Sequence, residues 1–189
     1  LYELLKYEKE NGYVVWVLGP AAVFSKGSRD AMAKLIEEGY VDALLGGNAV
    51  ATHDLEAGMF NTALGQDIYT LEHYHHLDLL NKARKASSIE KLIESENINS
   101  GIIHACVKNN VPIVLAGSIR DDGPLPIVIS DVYKAQDMMR SHIKKATTVI
   151  CLATQLHSIA TGNMTPSYRV IDDKIRPIYF YSVDVSEFA

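Results

Sequence analysis

Four short stretches of this 189-residue chain carry most of the side chains that could do chemistry. They are Gly46-Gly47-Asn48-Ala49 running on to His53-Asp54-Leu55-Glu56, the stretch Ser118 to Pro126, the run Thr154-Gln155-Leu156-His157, and Asp184. Glycines let a ligand come close to the backbone, and a helix start offers N–H groups and a positive dipole end, which suits phosphate. Two glycines at a tight strand-to-helix turn would look the same. A carboxylate at a strand end, as expected for Asp184, can accept both hydroxyls of a ribose. Asp121 and Asp122 can do similar work or form an Asp-Gly turn with Gly123. Arg120 can hold a carboxylate bidentately or pair with these aspartates. His53 and His157 are candidates for proton transfer near neutral pH, and His157 can equally be a loop anchor.

Other chemistries are poorly supported. His73, His75 and His76 invite a metal, but two of them are adjacent and no Cys or carboxylate cluster has structural-zinc spacing, so no metal is expected and the stretch reads as a polar loop over a pocket. The GxSxG elbow of nucleophilic hydrolases does not occur. After the first apolar run the chain reads Gly19-Pro20-Ala21-Ala22-Val23-Phe24, without the GxGxxG dinucleotide fingerprint. Gly46 to Ala49 is therefore the better neighbour for phosphate or nicotinamide.

These stretches sit at the ends of β-rich apolar runs. Tyr13 to Leu18, Val41 to Leu45, Val111 to Gly117, Thr148 to Ala153 and Ile178 to Val183 read as strands. Helical spacing marks Leu1 to Glu10, Arg29 to Glu38 behind Ser28, His53 to Ala63, Leu77 to Ile93 with a break at Ser87 or Ser88, Ile102 to Lys108, and Asp131 to Lys145. Alternation of this kind predicts an α/β fold with a mainly parallel, Rossmann-like sheet flanked by helices. Ligands in such sheets bind outside the carboxyl ends of the strands, so the four stretches should converge.

The bulk properties agree with one globular domain over residues 13–189, with 1–12 as the tail of an upstream helix or linker. Hydrophobic residues make up 48%, charged residues 22%, and the net charge is −5. That balance disfavours nucleic acid and acidic membranes and favours a small-molecule partner. Cys106 and Cys151 lie in apolar runs, as buried free thiols do, which points to the cytoplasm. No signal peptide or membrane span is apparent, and a start at Leu1 suggests a piece of a longer protein.

Gly47 to Glu56 (GNAVATHDLE), Val114 to Pro126 (VLAGSIRDDGPLP) and Leu156 to Asn163 (LHSIATGN) together resemble one family, the archaeal and cyanobacterial proteins named for a conserved domain of lysine-oxoglutarate reductase/saccharopine dehydrogenase. The resemblance covers most of Tyr13 to Asp184. It implies an NAD-dependent ornithine cyclodeaminase that converts L-ornithine to L-proline and ammonia, with this chain as its second domain and an NAD-binding fold similar to that of deoxyhypusine synthase. NAD contacts would then fall on Asn48, Ala49, Asp122, Thr154, Gln155, Leu156, His157 and Asp184. Asp121, His53 and His157 would be the catalytic candidates, and Arg120 would hold the substrate carboxylate. A homo-oligomer is expected because related folds assemble.

The chain departs from the pattern at Phe24-Ser25-Lys26-Gly27-Ser28, where a richer glycine turn is expected. It also lacks glycines expected before His73-Tyr74-His75-His76, and Thr165 to Pro177 is longer than expected. Two alternatives stand beside this reading. One is an alkylamine transfer like that of deoxyhypusine synthase, which needs a lysine nucleophile, with Lys26 the nearest candidate. The other is a non-catalytic domain that senses NAD.

Overall fold

In the computed structural model, residues 1–62 and 72–185 are described, without the side chains of Glu72 and His73. Its centre is Val14–Leu18 (β1), buried at all five positions. A continuous apolar run of this kind suits a strand covered on both faces. Ala43–Gly47 (β2), Ile113–Ala116 (β3), Val128–Ile129 (β4), Thr148–Leu152 (β5) and Tyr179–Val183 (β8) complete a six-stranded sheet in the order β4-β3-β2-β1-β5-β8. Every pairing in it is parallel. Tyr168–Ile171 (β6) and Lys174–Pro177 (β7) form a separate antiparallel hairpin.

The helices are Tyr2–Asn11 (α1), Lys26–Glu37 (α2), Asn48–Phe60 (α3), Glu72–Ala86 (α4), Ile89–Ser95 (α5), Ile102–Lys108 (α6), Val132–Ile143 (α7) and Gln155–Met164 (α8). Alternate strand residues feed two cores. Trp16, Leu18 and Leu44 meet Met32 and Ile36 of α2, Leu55 of α3, Leu79 of α4 and Ile103 of α6 on one face. Val15, Val17 and Leu45 meet Met139 and Ile143 of α7 on the other, with Met164 of α8 at the margin.

Several boundaries differ from the sequence expectation; β2 runs on to Gly47, and β4 and α8 are not among the expected elements. The helix expected from His53 begins at Asn48, directly after β2. Nearly every residue from Asn48 to Ala57 is buried, so this helix shows no polar face by which its start could be recognised. The far end expected for it, Ala63, lies outside the described residues. α2 starts at Lys26 with Ser25 as its cap, accepting the Ser28 N–H, instead of starting behind Ser28. The hairpin β6–β7 accounts for the long Thr165 to Pro177 stretch, turning at Asp172 and Asp173 with φ of 49° and 59°. Its strands are largely exposed, so no buried apolar alternation marked them.

α1 is joined to the domain by a buried carboxylate. Glu8 accepts from Thr147 of the β5 entry and from Arg176 of β7, the latter at 2.6 Å. The break expected at Ser87 or Ser88 is present, with Ser88 capping α5 through the Lys91 N–H.

Candidate active site

The strand order reverses between β1 and β5. From β1 the chain moves outward through β2, β3 and β4, then crosses back to β5 on the other side of β1. The crevice at the carboxyl ends of these two strands is where a ligand fits. Gly19 makes it possible: its N–H bonds Leu152 O at 2.9 Å, and a Cβ there would lie 1.8 Å from Ala153 O. A cavity of about 440 Å³ opens beside it, lined by Ala21, Ala22, Met32, Leu152, Val183 and Asp184. Its wall is mainly apolar, with the Asp184 carboxylate following β8.

Three elements begin at this edge: the 3-10 turn Pro20–Val23 after β1, α3 after β2 and α8 after β5. None is closed by a side-chain cap. By contrast α2, α5 and α7 are closed by Ser25, Ser88 and Asp131. Uncapped first turns direct N–H groups and the positive dipole end toward whatever occupies the crevice. Asn48, Ala49, Thr154, Gln155 and Leu156 all lie at these starts, so the structure brings them to the same edge. The Asn48 side chain is itself engaged: Nδ2 donates to Gly123 O and Oδ1 accepts from Leu125 N, both at 3.0 Å. A ligand would therefore meet Asn48 through its backbone N–H.

His157, on the first turn of α8, lies beside Gly47, where a Cβ would come within 3.3 Å of the ring. Its Nδ1 is buried, and among the described residues it has no hydrogen-bond partner. Burial holds its pKa below the ordinary value, so the ring is neutral at pH 7. An imidazole nitrogen buried at the strand ends without a partner among the described residues calls for an explanation, and a ligand is one.

The loop after β3 separates its two aspartates. Asp121 turns back to accept the Ser118 N–H at 2.9 Å and closes its own turn. Asp122 faces α4, with Oδ2 3.4 Å from His76 Nε2. Arg120 is exposed at the tip.

Beneath the loop, α3 and α4 build a buried polar cluster. Glu56 Oε2 lies 3.4 Å from His53 Nδ1 and 3.4 Å from His76 Nδ1. Burial alone would raise the Glu56 carboxyl, but the bonds and charges of the two histidines outweigh it and hold it below its ordinary value. Glu56 Oε1 accepts from Thr62, whose hydroxyl also meets His75 Nδ1 at 3.1 Å. The next residue along the helix is structural. Asp54 pairs with Arg29 at 3.1 Å and accepts the Ile103 N–H at 2.8 Å, tying α3 to α2 and α6.

Sequence reasoning gave no role to Glu56 and only a loop role to His76. The His53–Glu56 spacing of i and i+3 was a usable signal, because it puts both on one helix face. His76 comes from another helix, and nothing local announced the meeting. His53, Glu56 and His76 have donor atoms within 4.8 Å of one another, close enough to share one ion, so the fold assembles a donor set that sequence spacing concealed. The side chain of His73 lies outside the described residues.

Other nucleophiles are poorly placed. Lys26 is exposed and paired with Asp30 at 2.5 Å. Burial pushes the Cys151 thiol up to about 11 and raises that of Cys106 further, so both stay protonated at neutral pH.

A parallel sheet of this order with its crevice at the point of reversal defines a Rossmann-type, nucleotide-binding class of domain. The chain belongs to the ArgZ-like family, described as arginine dihydrolase ArgZ-like, C-terminal, Rossmann fold, whose pattern matches residues 2–179. It is 51% identical over 171 residues to the ornithine cyclodeaminase of Methanopyrus kandleri, covering 88% of this chain and 41% of that protein. It is 46% identical to the bifunctional arginine dihydrolase/ornithine cyclodeaminase AgrE of Nostoc sp., covering 88% of this chain and 24% of that one. The chain thus spans about two fifths or less of the length of these relatives.

Among solved structures, the ternary complex of AgrE with ornithine and NAD+ superposes with a TM-score of 0.86 at 42% identity, over 98% of this chain and 27% of that one. A conserved LOR/SDH protein from Methanococcus maripaludis gives 0.83 at 42% identity, over 98% and 54%. A deoxyhypusine synthase homologue from Entamoeba histolytica shares the fold, with a TM-score of 0.50 at 18% identity over 75% of this chain and 59% of that one.

Proposed function

We propose that this chain is the NAD-binding domain of an ornithine cyclodeaminase that converts L-ornithine to L-proline and ammonia. The observation that carries the reading is the crevice at the β1/β5 reversal, with apolar walls, uncapped helix starts and the Asp184 carboxylate on its rim. Its likeness to AgrE, solved with ornithine and NAD+, supports the same reading.

The residues present fit a dinucleotide. The apolar cleft beside Leu152 and Val183 suits the adenine ring, and Asp184 suits its ribose hydroxyls. The first turns at Asn48-Ala49 and at Thr154 to Leu156 offer backbone N–H groups toward the remaining polar parts. The His157 ring, with Cε1 and Nε2 beside Gly47, offers its Nδ1 as a donor or acceptor according to tautomer. Bound NAD+ would supply a hydride acceptor for the substrate α-carbon and give the hydride back after ring closure, so no net oxidation results. The protein must exclude water, hold the substrate against the strand ends and manage its protons.

In this reading Arg120, at the loop tip, would meet the substrate carboxylate, and Asp122, His53 and His157 would move protons. The alkylamine-transfer alternative loses its candidate lysine, because Lys26 is exposed and held by Asp30. Assembly as a homo-oligomer, a place in proline formation and a cytoplasmic setting belong to the same proposal. No helix among the described residues is long and apolar enough to cross a membrane.

The test is turnover of isotopically labelled L-ornithine by the intact protein with NAD+ far below the substrate concentration. Labelled proline and ammonia in equal amounts, with the C2 hydrogen retained, are expected. Proline formation that is equal without nucleotide would overturn the mechanism, and tight NAD+ binding without turnover of any diamino acid would favour a sensing domain.

A further inference from the structure

We propose that Asp122, His76, Glu56 and His53 form one proton relay, which takes protons from the substrate's ammonium groups at the open strand ends, holds them, and returns them as ammonia leaves. This rests on the cyclodeaminase reading above. His76 lies between two carboxylates: its Nε2 is 3.4 Å from Asp122 Oδ2 and its Nδ1 is 3.4 Å from Glu56 Oε2. Glu56 Oε2 in turn lies 3.4 Å from His53 Nδ1. The line therefore starts at a half-exposed carboxylate on the loop after β3 and ends inside α3, where Glu56 is fully buried. An imidazole bridging two carboxylates can accept a proton at one nitrogen and release one at the other, which neither carboxylate can do alone.

A buried carboxylate is costly unless paired, and an apolar side chain at position 56 would serve a core helix as well. The neighbouring Asp54 shows what a structural carboxylate on the same helix does, since it bonds Arg29 and the start of α6. Among the described residues Glu56 reaches no cation of that kind, and its Oε2 meets the two imidazoles. Other charged or titratable groups described around the line have partners of their own. His75 meets Thr62, the Arg84 guanidinium of α4 lies against Gly123, and Asp121 closes its own turn.

The chemistry needs such a store. The C2–H bond breaks with its electron pair leaving as hydride only after the α-ammonium has given up a proton, because the nitrogen lone pair must form the C=N bond. The side-chain ammonium must lose a proton before its nitrogen attacks C2. The original C2–N bond then breaks with its electron pair going to the departing nitrogen, which takes a proton from the ring nitrogen as the ring nitrogen's freed electron pair forms the cyclic C=N bond. Two protons go out, one from each ammonium, and two come back, one to the released ammonia and one to the ring nitrogen. The ornithine cation thereby becomes neutral proline and an ammonium ion, with no proton drawn from solvent. Asp122 is the catalytic residue that would touch the substrate ammonium. His76, Glu56 and His53 act through it.

The experiment compares the intact wild-type protein with Glu56→Gln, His76→Gln and Asp122→Asn. Glu56→Gln and His76→Gln should each lower kcat on L-ornithine by about 100-fold or more, the usual size of a lost acid–base contribution. NAD+ affinity, read by fluorescence titration, should stay within twofold of wild type. The pH profile of kcat should lose its acidic limb in both variants, and NMR of the imidazole nitrogens should show His76 and His53 changing protonation together in wild type and independently in Glu56→Gln. Melting curves identify a variant that fails to fold, and the NMR readout on the others then decides.

Wild-type rates in both Glu56→Gln and His76→Gln would overturn the relay while leaving the cyclodeaminase reading intact. Loss of wild-type activity on dialysis against a chelator, with recovery on adding Zn2+, would also overturn it, by assigning His53, Glu56 and His76 to a metal. A wild-type protein that forms no proline from ornithine would overturn the parent reading, and the relay with it.

Discussion

The two ends of the crevice are built in opposite ways. At the β1, β5 and β8 end, the wall is Ala21, Ala22, Leu152 and Val183, and its main polar feature is Asp184 on the rim. At the β2 and β3 end, polar groups are buried and bonded to one another across distant parts of the chain: Asn48 to the loop after β3, Asp54 to α2 and α6, Glu56 to α3 and α4. An apolar slot can take a flat ring by shape and desolvation, with little need for fixed partners. A polar end must be held rigid, since a buried donor or acceptor that drifts from its partner costs free energy. On the function proposed above, the difference assigns affinity to one end and chemistry to the other.

The sharpest way to break that comparison is to remove the support of the polar end. Asp54→Ala leaves Arg29 buried without its partner and the first turn of α6 without its acceptor. A loss of about 3–5 kcal/mol is expected in urea unfolding. The exposed pair Lys26–Asp30 is the control, and Asp30→Ala should cost under about 1 kcal/mol. If the two variants lost equal stability, the polar end would not be the rigid one.

A smaller effect is expected at the start of the same helix. Asn48→Ala removes both hydrogen bonds that hold Gly123 and Leu125, and two buried bonds of this kind together contribute about 2–3 kcal/mol. Hydrogen exchange should rise in residues 118–126 and stay low in β1 and β5. Exchange that rises evenly through the sheet would show that the loop is not held from α3.

Asp184→Ala sharpens the comparison from the other side. Losing a charged acceptor for the ribose should weaken NAD+ binding by about 10- to 100-fold, which corresponds to roughly 1.5–3 kcal/mol. At saturating NAD+ the turnover rate should be unchanged. A fall in kcat at saturation would place Asp184 in the chemistry and erase the division between the ends.

The same division explains what could be read from the sequence. The affinity end was legible because its parts are local: an apolar run announces a strand, and the residues that follow it, such as Thr154 or Asp184, must lie at the strand's carboxyl end. The sheet itself was legible for the same reason, except for Val128–Ile129, too short to stand out, and the exposed hairpin from Tyr168 to Pro177. The chemical end was less so. Asn48, an expected ligand contact, also bonds the loop through its side chain, and Asp121, an expected catalytic residue, also accepts the Ser118 N–H, and neither bond is written in the local pattern. His76 reaches Glu56 from 20 positions away. Such meetings are set by how helices dock, and periodicity along one segment carries no record of them.

His157 stands between the two ends, and its burial sets the smallest effect expected here. Burial lowers its folded-state pKa below the unfolded value of about 6.5. An unfolded chain therefore binds a proton at a pH where the folded chain does not, and stability rises with pH through that window. Above pH 6.5 the contribution is complete, and as pH falls below it the folded state loses ground. Glu56 follows the other rule for a depressed group: its contribution is present above about 4.5 and is lost as pH falls through the lower folded value. Melting temperature should thus decline in two stages on acidification, the first below pH 6.5 and the second below 4.5. His157→Gln should flatten the first stage and leave the second in place, while a variant that kept both stages would show that another histidine lowered by burial, such as the half-buried His142, carries the first.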